Sequence, residues 1–424
     1  MGGKLIIFKS FPIFEDFLKS LGQFRLEMGL ERMNRGLDIL GISPEDIPVV
    51  QIVGTNGKGS TACFLEILAR FSGFKTGLYT SPHLVSVKER IRVNNFYLPD
   101  DVWLDAANEV SECCSGLDLT YFEFLTLMAA LIFKMEKVNL AVMEAGLGGR
   151  YDATSALHPA VNILTPVGLD HTRILGSTLE EIAMDKSLAM RKGPVVMAKQ
   201  SLEVMDVFKS RAEKIGADIY EVKDYFDFTG DSLRFRSVQE MYLKGSEMGL
   251  KGFYQLENAA AALLAWRIFA EKKGKTFDPD LCALALKNAF WPGRMHFVSQ
   301  DPMVILDGAH NPQGMEALAR ALGEMGIKPE TIVFSCLKDK DVGQMIEIVQ
   351  SFKAGNIFIP DIKANPRAMP KEELVLLFGQ RAYPLCSVKE YLGGLRNEDA
   401  PVLVCGSLYL LGDIYAVFPQ WLQR

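Results

Sequence analysis

Cationic surplus is missing from this chain. Its 46 lysines and arginines are outnumbered by 52 aspartates and glutamates, giving a net charge of −6. A broad basic field for nucleic acid is therefore excluded, and any anionic ligand must be captured by a few local donors. Cysteine is scarce as well. Cys63, Cys113, Cys114, Cys282, Cys336, Cys386 and Cys405 are scattered, odd in number and without CxxC spacing. That argues against zinc and against a disulfide framework, and it fits a reducing cytoplasm. No stretch approaches the roughly 18 uninterrupted apolar residues needed to cross a bilayer, so no membrane partner is expected. At the N-terminus, MGGKLIIFKSFPIFEDF has too short an apolar core and too many charges for a secretory signal. No GxSxG elbow is present either, which leaves Ser81 in TSPHL as a hydroxyl ligand rather than a nucleophile.

What is present is apolar and periodic. With 424 residues, 49% of them apolar, the chain exceeds one hydrophobic core, and two domains are expected. Eight apolar runs alternate with helical patterns: VVQIV (49–53), NLAVMEA (139–145), AVNILT (160–165), PVVMA (194–198), MVILD (303–307), TIVFS (331–335), NIFIP (356–360) and PVLVC (401–405). They are too continuous for strands with one wet face and suit parallel strands covered on both sides by helices. A doubly wound α/β architecture follows. Trp291-Pro292-Gly293-Arg294 must stop a helix such as 278–290. We therefore expect one domain over 1–296 and a smaller α/β domain over 297–424. The polar segment 219–252 has the look of short antiparallel strands with turns.

Between the run 49–53 and the helical pattern 60–71 lies GTNGKGS. Glycines at such a junction let backbone N–H groups turn inward around an anion, with a helix N-terminus behind it. Lys58 is placed to meet β/γ-phosphates, and Ser60 or Thr61 to face magnesium. The spacing GxxGKGS departs from the usual phosphate loop, because Gly59 takes the place of the hydroxyl residue. Glu144 ends another apolar run and is followed by Ala-Gly-Leu-Gly-Gly-Arg150. A carboxylate at a buried strand tip needs a partner, and magnesium takes hard oxygen ligands. Single histidines are more often structural, which is the default for His83, His158 and His296. His171 in LDH and His310 in LDGAHNP stand apart, the second at a strand end where open α/β sheets gather ligands.

Taken together, these segments resemble the folylpolyglutamate synthase and dihydrofolate synthase family of the Mur ligase superfamily. The resemblance is carried by GTNGKGS (54–60), YTSPHL (79–84), ERIRVN (89–94), YFEFLT (121–126), EAGLGGRYDAT (144–154), GLDHTRILGSTLEEIA (168–183), WPGR (291–294), DGAHNP (307–312), LKDKD (337–341) and CGSLYL (405–410). It implies a phosphate-loop central domain of the Mur ligase type, with a Rossmann-like C-terminal domain. It also implies an ATP-dependent ligase that phosphorylates a carboxylate and lets the amine of L-glutamate attack the acyl phosphate. Asn56, Gly57, Lys58, Gly59 and Ser60 resemble the triphosphate cradle. Ser60, Ser81, Glu144 and His171 resemble the ligands of magnesium, with two magnesium sites implied. Asn258, Arg294, Asp307 and His310 would reach ATP, placing that site between domains. Lys186 matches a lysine that is carbamylated in the superfamily, and Lys58, Glu144, His171 and Lys186 are the implied catalytic set. Ser155, His296 and the Ser187-Leu188-Ala189-Met190 stretch depart from the family's usual residues.

The resemblance leaves two acceptors open: dihydropteroate, or the glutamate tail of a reduced folate. LEMGLERM (26–33) and LTYFEF (119–124) resemble segments of members that use both. They place Glu27, Met28, Gly29, Leu30, Thr120, Tyr121, Phe122 and Glu123 near the pterin, with Tyr151, Asp152 and Ala153. A tail-extending synthase alone is the alternative. A peptidoglycan Mur ligase would carry a further N-terminal domain, for which the 53 residues before the loop leave little room. A nucleotide-binding regulatory ATPase is the rival of another class, disfavoured by Glu144, His171 and Lys186. A monomer is expected.

Overall fold

The computed structural model describes residues 7–236, 241–363, 365–397 and 400–423. Part of the expected polar segment, 237–240, lies outside the described residues. Among those described, the strands form three sheets. The first holds β1 (Val49–Val53), β2 (Thr76–Tyr79), β3 (Ile91–Val93), β4 (Phe96–Tyr97), β5 (Leu140–Glu144), β6 (Val161–Leu164), β7 (Pro194–Met197) and β8 (Asp218–Glu221). Their order is β4-β3-β2-β5-β1-β6-β7-β8, parallel from β2 to β8, with β3 and β4 antiparallel at one edge. Strands β1, β2, β5, β6 and β7 are buried at every residue, and all but β2 (TGLY) appear in the sequence as continuous, largely apolar runs.

Helices cover both faces. Lys58–Phe71 and the 20-residue helix Phe253–Lys272 pack on one side, their alanine-rich contact bringing Ala62, Ala69, Ala259 and Ala262 into one core. Tyr121–Met135 and Asp100–Cys113 pack on the other around Trp103, Phe124 and Phe133. A small antiparallel sheet of β9 (Phe226–Thr229), β10 (Ser232–Phe235) and β11 (Tyr242–Lys244) falls in the expected polar segment.

The third sheet comprises β12 (His296–Gln300), β13 (Met303–Leu306), β14 (Thr331–Phe334), β15 (Asn356–Pro360), β16 (Ala382–Leu385) and β17 (Val402–Cys405), ordered β12-β13-β17-β14-β15-β16. Only β12 runs antiparallel to its neighbour. All eight apolar runs are strands of a parallel arrangement. Of the strands outside those runs, β3, β4, β8, β12 and β16 lie at or next to sheet edges, where a wetted face breaks the apolar pattern, whereas the buried interior strand β2 is hidden by its short sequence TGLY. Among the described residues no helix is long and apolar enough to cross a membrane.

Candidate active site

Strand β1 ends at Val53 and the helix begins at Lys58, so residues 54–57 form the turn between them. Gly57 sits at φ +84°, a left-handed conformation that an L side chain resists. A Cβ there would also lie 2.3 Å from Asn258 Oδ1. At Gly54 a Cβ would come 1.9 Å from Thr165 Oγ1 and 2.8 Å from the Thr165 carbonyl. The turn is thus closed around two glycines with the helix N-terminus behind it, the geometry that cradles an anion. Lys58 Nζ folds over the loop and donates to the carbonyls of Gly54 (3.2 Å) and Thr55 (3.1 Å). Ser60 is buried and its hydroxyl accepts from Gln255 Nε2 (3.2 Å), while Gln255 Oε1 accepts from Asn258 Nδ2 (2.9 Å). Asn258 therefore touches the loop through packing and holds Gln255 in place.

Glu144 closes β5 directly beside Ile52 of β1, which brings its carboxylate to the loop. It is 4% exposed, and Oε2 accepts from the Ser81 backbone N–H (3.1 Å). Burial raises its pKa, opposed by the charges of Lys58, Arg294 and Arg90. A buried carboxylate with so little compensation fits a cation ligand. His171, in a left-handed turn after β6, is pushed down to about 4 by burial, so at neutral pH it is the uncharged imidazole that can ligate. Among the described residues no three His, Cys, Asp or Glu side chains form a metal cage. A cation here would complete its shell with phosphate oxygens and water, the habit of magnesium. Lys186, on helix Leu179–Ser187, is also buried; its Nζ donates to Gly54 O (2.9 Å) and burial lowers its pKa to about 7.

The second domain closes over the loop. Asn56 Nδ2 donates to Gln313 Oε1 (2.8 Å) and Asn311 Oδ1 (3.2 Å), and Asn311 Nδ2 returns a bond to Asn56 Oδ1 (3.0 Å). Asp170, beside His171, is the hub of this contact. It pairs with Lys340 Nζ at 2.5 Å, accepts from Asn311 Nδ2 at 3.1 Å and lies 3.7 Å from His310 Nε2. Burial alone would raise its pKa, but His310, Lys340 and His171 together hold it well below the usual carboxylate range. His310 itself is lowered to about 4 by burial, and its Nδ1 meets Gly308 O at 2.8 Å. Arg294 crowds Gly308, where a Cβ would lie 2.5 Å from Nη1. Asp307, expected to reach ATP, accepts from Met295 N (2.7 Å), Ala309 N (2.8 Å) and Tyr254 OH (3.2 Å). It shapes the turn that presents His310 and Asn311.

On the acceptor side, the expected residues divide. Glu27 and Met28 are exposed, Tyr151 is exposed beneath the Arg150 guanidinium (4.7 Å to the ring), and Phe122 closes on Gly146. Thr120, Tyr121, Glu123, Asp152 and Ala153 are buried. Thr120 and Glu123 form a reciprocal cap on helix Tyr121–Met135. The Glu123 carboxylate also takes Arg32 Nη2 at 2.9 Å, and Arg32 Nη2 donates to Glu27 O (2.9 Å). Gly29, at φ +118°, and Leu30 sit inside that tether. Asp152 accepts from Gly146 N, Leu147 N and Thr154 N and from the Thr154 hydroxyl, fixing the glycine loop after Glu144. Its role is to shape that loop. Ser155 joins a buried network, accepting from Gln51 and donating to Gly149 O. Of the histidines taken as structural by default, His83 accepts from Arg90 (2.8 Å) and His296 meets Tyr415 OH (2.8 Å).

Sequence reasoning passed over Asp170, Asn311, Gln313, Lys340 and Trp291. Asp170 adjoins His171 and Lys340 lies in LKDKD, so both stood in quoted motifs without a visible partner.

A nucleotide loop, a buried carboxylate at its side and a second α/β domain lying over both define an ATP-dependent ligase of the Mur type. The Mur ligase middle domain matches residues 52–266, and the Mur ligase glutamate ligase domain matches 293–408. The dihydrofolate synthase/folylpolyglutamate synthase of Bacillus subtilis is 31% identical over 412 residues, covering 92% of this chain and 95% of the relative. E. coli FolC in complex with DHPP and ADP superposes with a TM-score of 0.87 at 28% identity, over 97% of this chain and 98% of that one. The bifunctional enzyme of Yersinia pestis, complexed with AMPPNP and Mn ion, gives 0.84 at 26% identity, over 97% and 98%. The chain belongs to the dihydrofolate synthase/folylpolyglutamate synthase family of Mur ligases. It is an ATP-dependent ligase that uses a divalent metal and small-molecule substrates, and it ligates glutamate.

Proposed function

We propose that this ligase serves both acceptors, adding L-glutamate to dihydropteroate and to the tail of a reduced folate. The observation that carries the reading is the Arg32–Glu123 tether, which fixes the segment 27–32 against the helix opening at Tyr121. In the reaction an acceptor carboxylate oxygen attacks the γ-phosphorus and ADP leaves. The glutamate nitrogen then attacks the acyl carbonyl, phosphate departs, and the nitrogen loses a proton. Gly57, Lys58, Gly59 and Ser60 hold the phosphates, aided by Asn56 and Asn258 from either side. Ser60, Ser81, Glu144 and His171 would hold magnesium, which supplies charge neutralisation on the phosphates when bound. Arg294, at the end of the first domain, and His310, from the second, face the same space, and closure excludes water from the acyl phosphate.

Lys186 becomes a carbamate on this reading and supports a second metal. Its support is chemical: a buried amine whose pKa is lowered to about 7 is largely available as the neutral nucleophile. The division of labour follows 1–296 for nucleotide and acceptor and 297–424 for closure and glutamate. We further place the protein in the cytoplasm as a monomer, with all seven cysteines free. The test is magnesium-dependent phosphate release with ATP and L-glutamate, offering each acceptor separately and weighing the products. One added glutamyl unit on both acceptors is expected. Release with folate alone would reduce the enzyme to a tail-extending synthase. Release with neither would restore the regulatory ATPase.

A further inference from the structure

Beside Ser81 and Glu144 lies a narrow interdomain cleft, and its wall contains an arginine with no role so far. Arg92 is the middle residue of β3, where alternation turns Ile91 and Val93 into the core and Arg92 to the opposite face. Its guanidinium is clamped between two rings, 4.8 Å from the Tyr97 centroid and 5.2 Å from that of Trp291. Nε donates to Glu89 O (3.1 Å) and Nη1 to Asn95 Oδ1 (3.2 Å). Those bonds fix the plane and leave Nη2 without a protein acceptor among the described residues. Trp291 in turn reaches the phosphate loop: a Cβ on Gly59 would sit 3.2 Å from its indole nitrogen and 3.7 Å from Glu144 Oε2.

The charges of the cleft differ in how far they are already engaged. Arg92 and Arg294 both line it, as do two carboxylates. Glu89 is already occupied, accepting from the backbone of Leu84, Val85 and Ser86. Glu144 belongs to the metal side. A planar, pre-oriented guanidinium in partly desolvated surroundings is suited to a carboxylate. We propose that Arg92 binds the α-carboxylate of a glutamyl unit and thereby positions it beside the phosphate loop. This rests on the glutamate-ligation reading above. Two substrates carry such a unit, the incoming L-glutamate and the terminal residue of a folate tail. Dihydropteroate carries none.

The experiment measures kcat and KM for Arg92→Ala and Arg92→Lys with L-glutamate, reduced monoglutamyl folate and dihydropteroate varied in turn. Loss of one charge-assisted contact should raise the relevant KM about 10- to 100-fold, with partial recovery in the lysine variant. A rise for L-glutamate alone assigns Arg92 to the incoming amine. A rise for folate with dihydropteroate unchanged assigns it to the tail. ADP affinity and the melting temperature, both unchanged, show that the fold has survived. Unmoved KM values, equal rises for folate and dihydropteroate, or a fall in kcat alone would overturn the proposal. A wild-type protein that releases no phosphate with either acceptor would instead defeat the functional reading on which it rests.

Discussion

Asp170 offers the sharpest perturbation. Its carboxylate and the Lys340 ammonium are 6% and 5% exposed, 2.5 Å apart, and belong to different domains. Deleting one partner of a buried pair costs about 3–5 kcal/mol, because the other charge is left uncompensated. Here the lysine escapes that penalty if the domains part, so the cost should fall on closure rather than on the fold of either domain. At about 1.4 kcal/mol per tenfold, the lower figure shifts the closed-to-open ratio more than 100-fold. Asp170→Asn keeps the volume and an acceptor for Asn311, isolating the charge. We expect kcat/KM for ATP to fall about 100-fold while the melting temperature moves little. Lys340→Met should behave alike, and the double variant should lose little more than either single one. A double-mutant cycle on kcat/KM reads the coupling directly. Losses that add to within about 0.5 kcal/mol would refute the closure argument.

Three further outcomes follow from the loop. Lys58→Ala should lower kcat by about 10²- to 10³-fold through loss of phosphate stabilisation, with an unaltered circular dichroism spectrum; full activity would remove Lys58 from the site. Gly57→Ala places a side chain at φ +84° against Asn258, a backbone cost of about 1–2 kcal/mol before the contact is relieved. Urea midpoints and ATP affinity should both drop, and an ATP affinity equal to the wild type would contradict the cradle geometry. Lys186 has its pKa lowered by burial from 10.5 to about 7, so between those values the unfolded chain binds more protons than the folded one. Stability should therefore climb with pH across that window, by up to about 1.4 kcal/mol per unit, in carbonate-free buffer. Denaturation at pH 7 and pH 9 checks this, since Lys186→Met should lose the slope.

The sequence alone determined most of the strands that are buried on both faces, because double burial usually leaves a continuous apolar run in chain order; β2, whose TGLY is too short and too polar for such a run, is the exception. It also determined the phosphate loop, whose glycines, lysine and serine are neighbours in one turn, and the carboxylate Glu144 at a strand tip. These are local facts, set by residues a few positions apart. Strands β3 and β4 stayed hidden because an edge with a wet face carries no continuous pattern. Only the tertiary structure decided which carboxylates serve the fold. Asp152 and Asp307 look like site residues in their motifs, yet Asp152 accepts from N–H and O–H donors of its own loop and Asp307 from Met295, Ala309 and Tyr254, which three separate segments supply. Only it could join Asp170 to Lys340 across 170 residues, or Asn56 to Asn311 across 255. A charge in a sequence shows no partner; that depends on the order in which β13, β14 and β17 assemble in the third sheet and on how that sheet's loops meet those of the first.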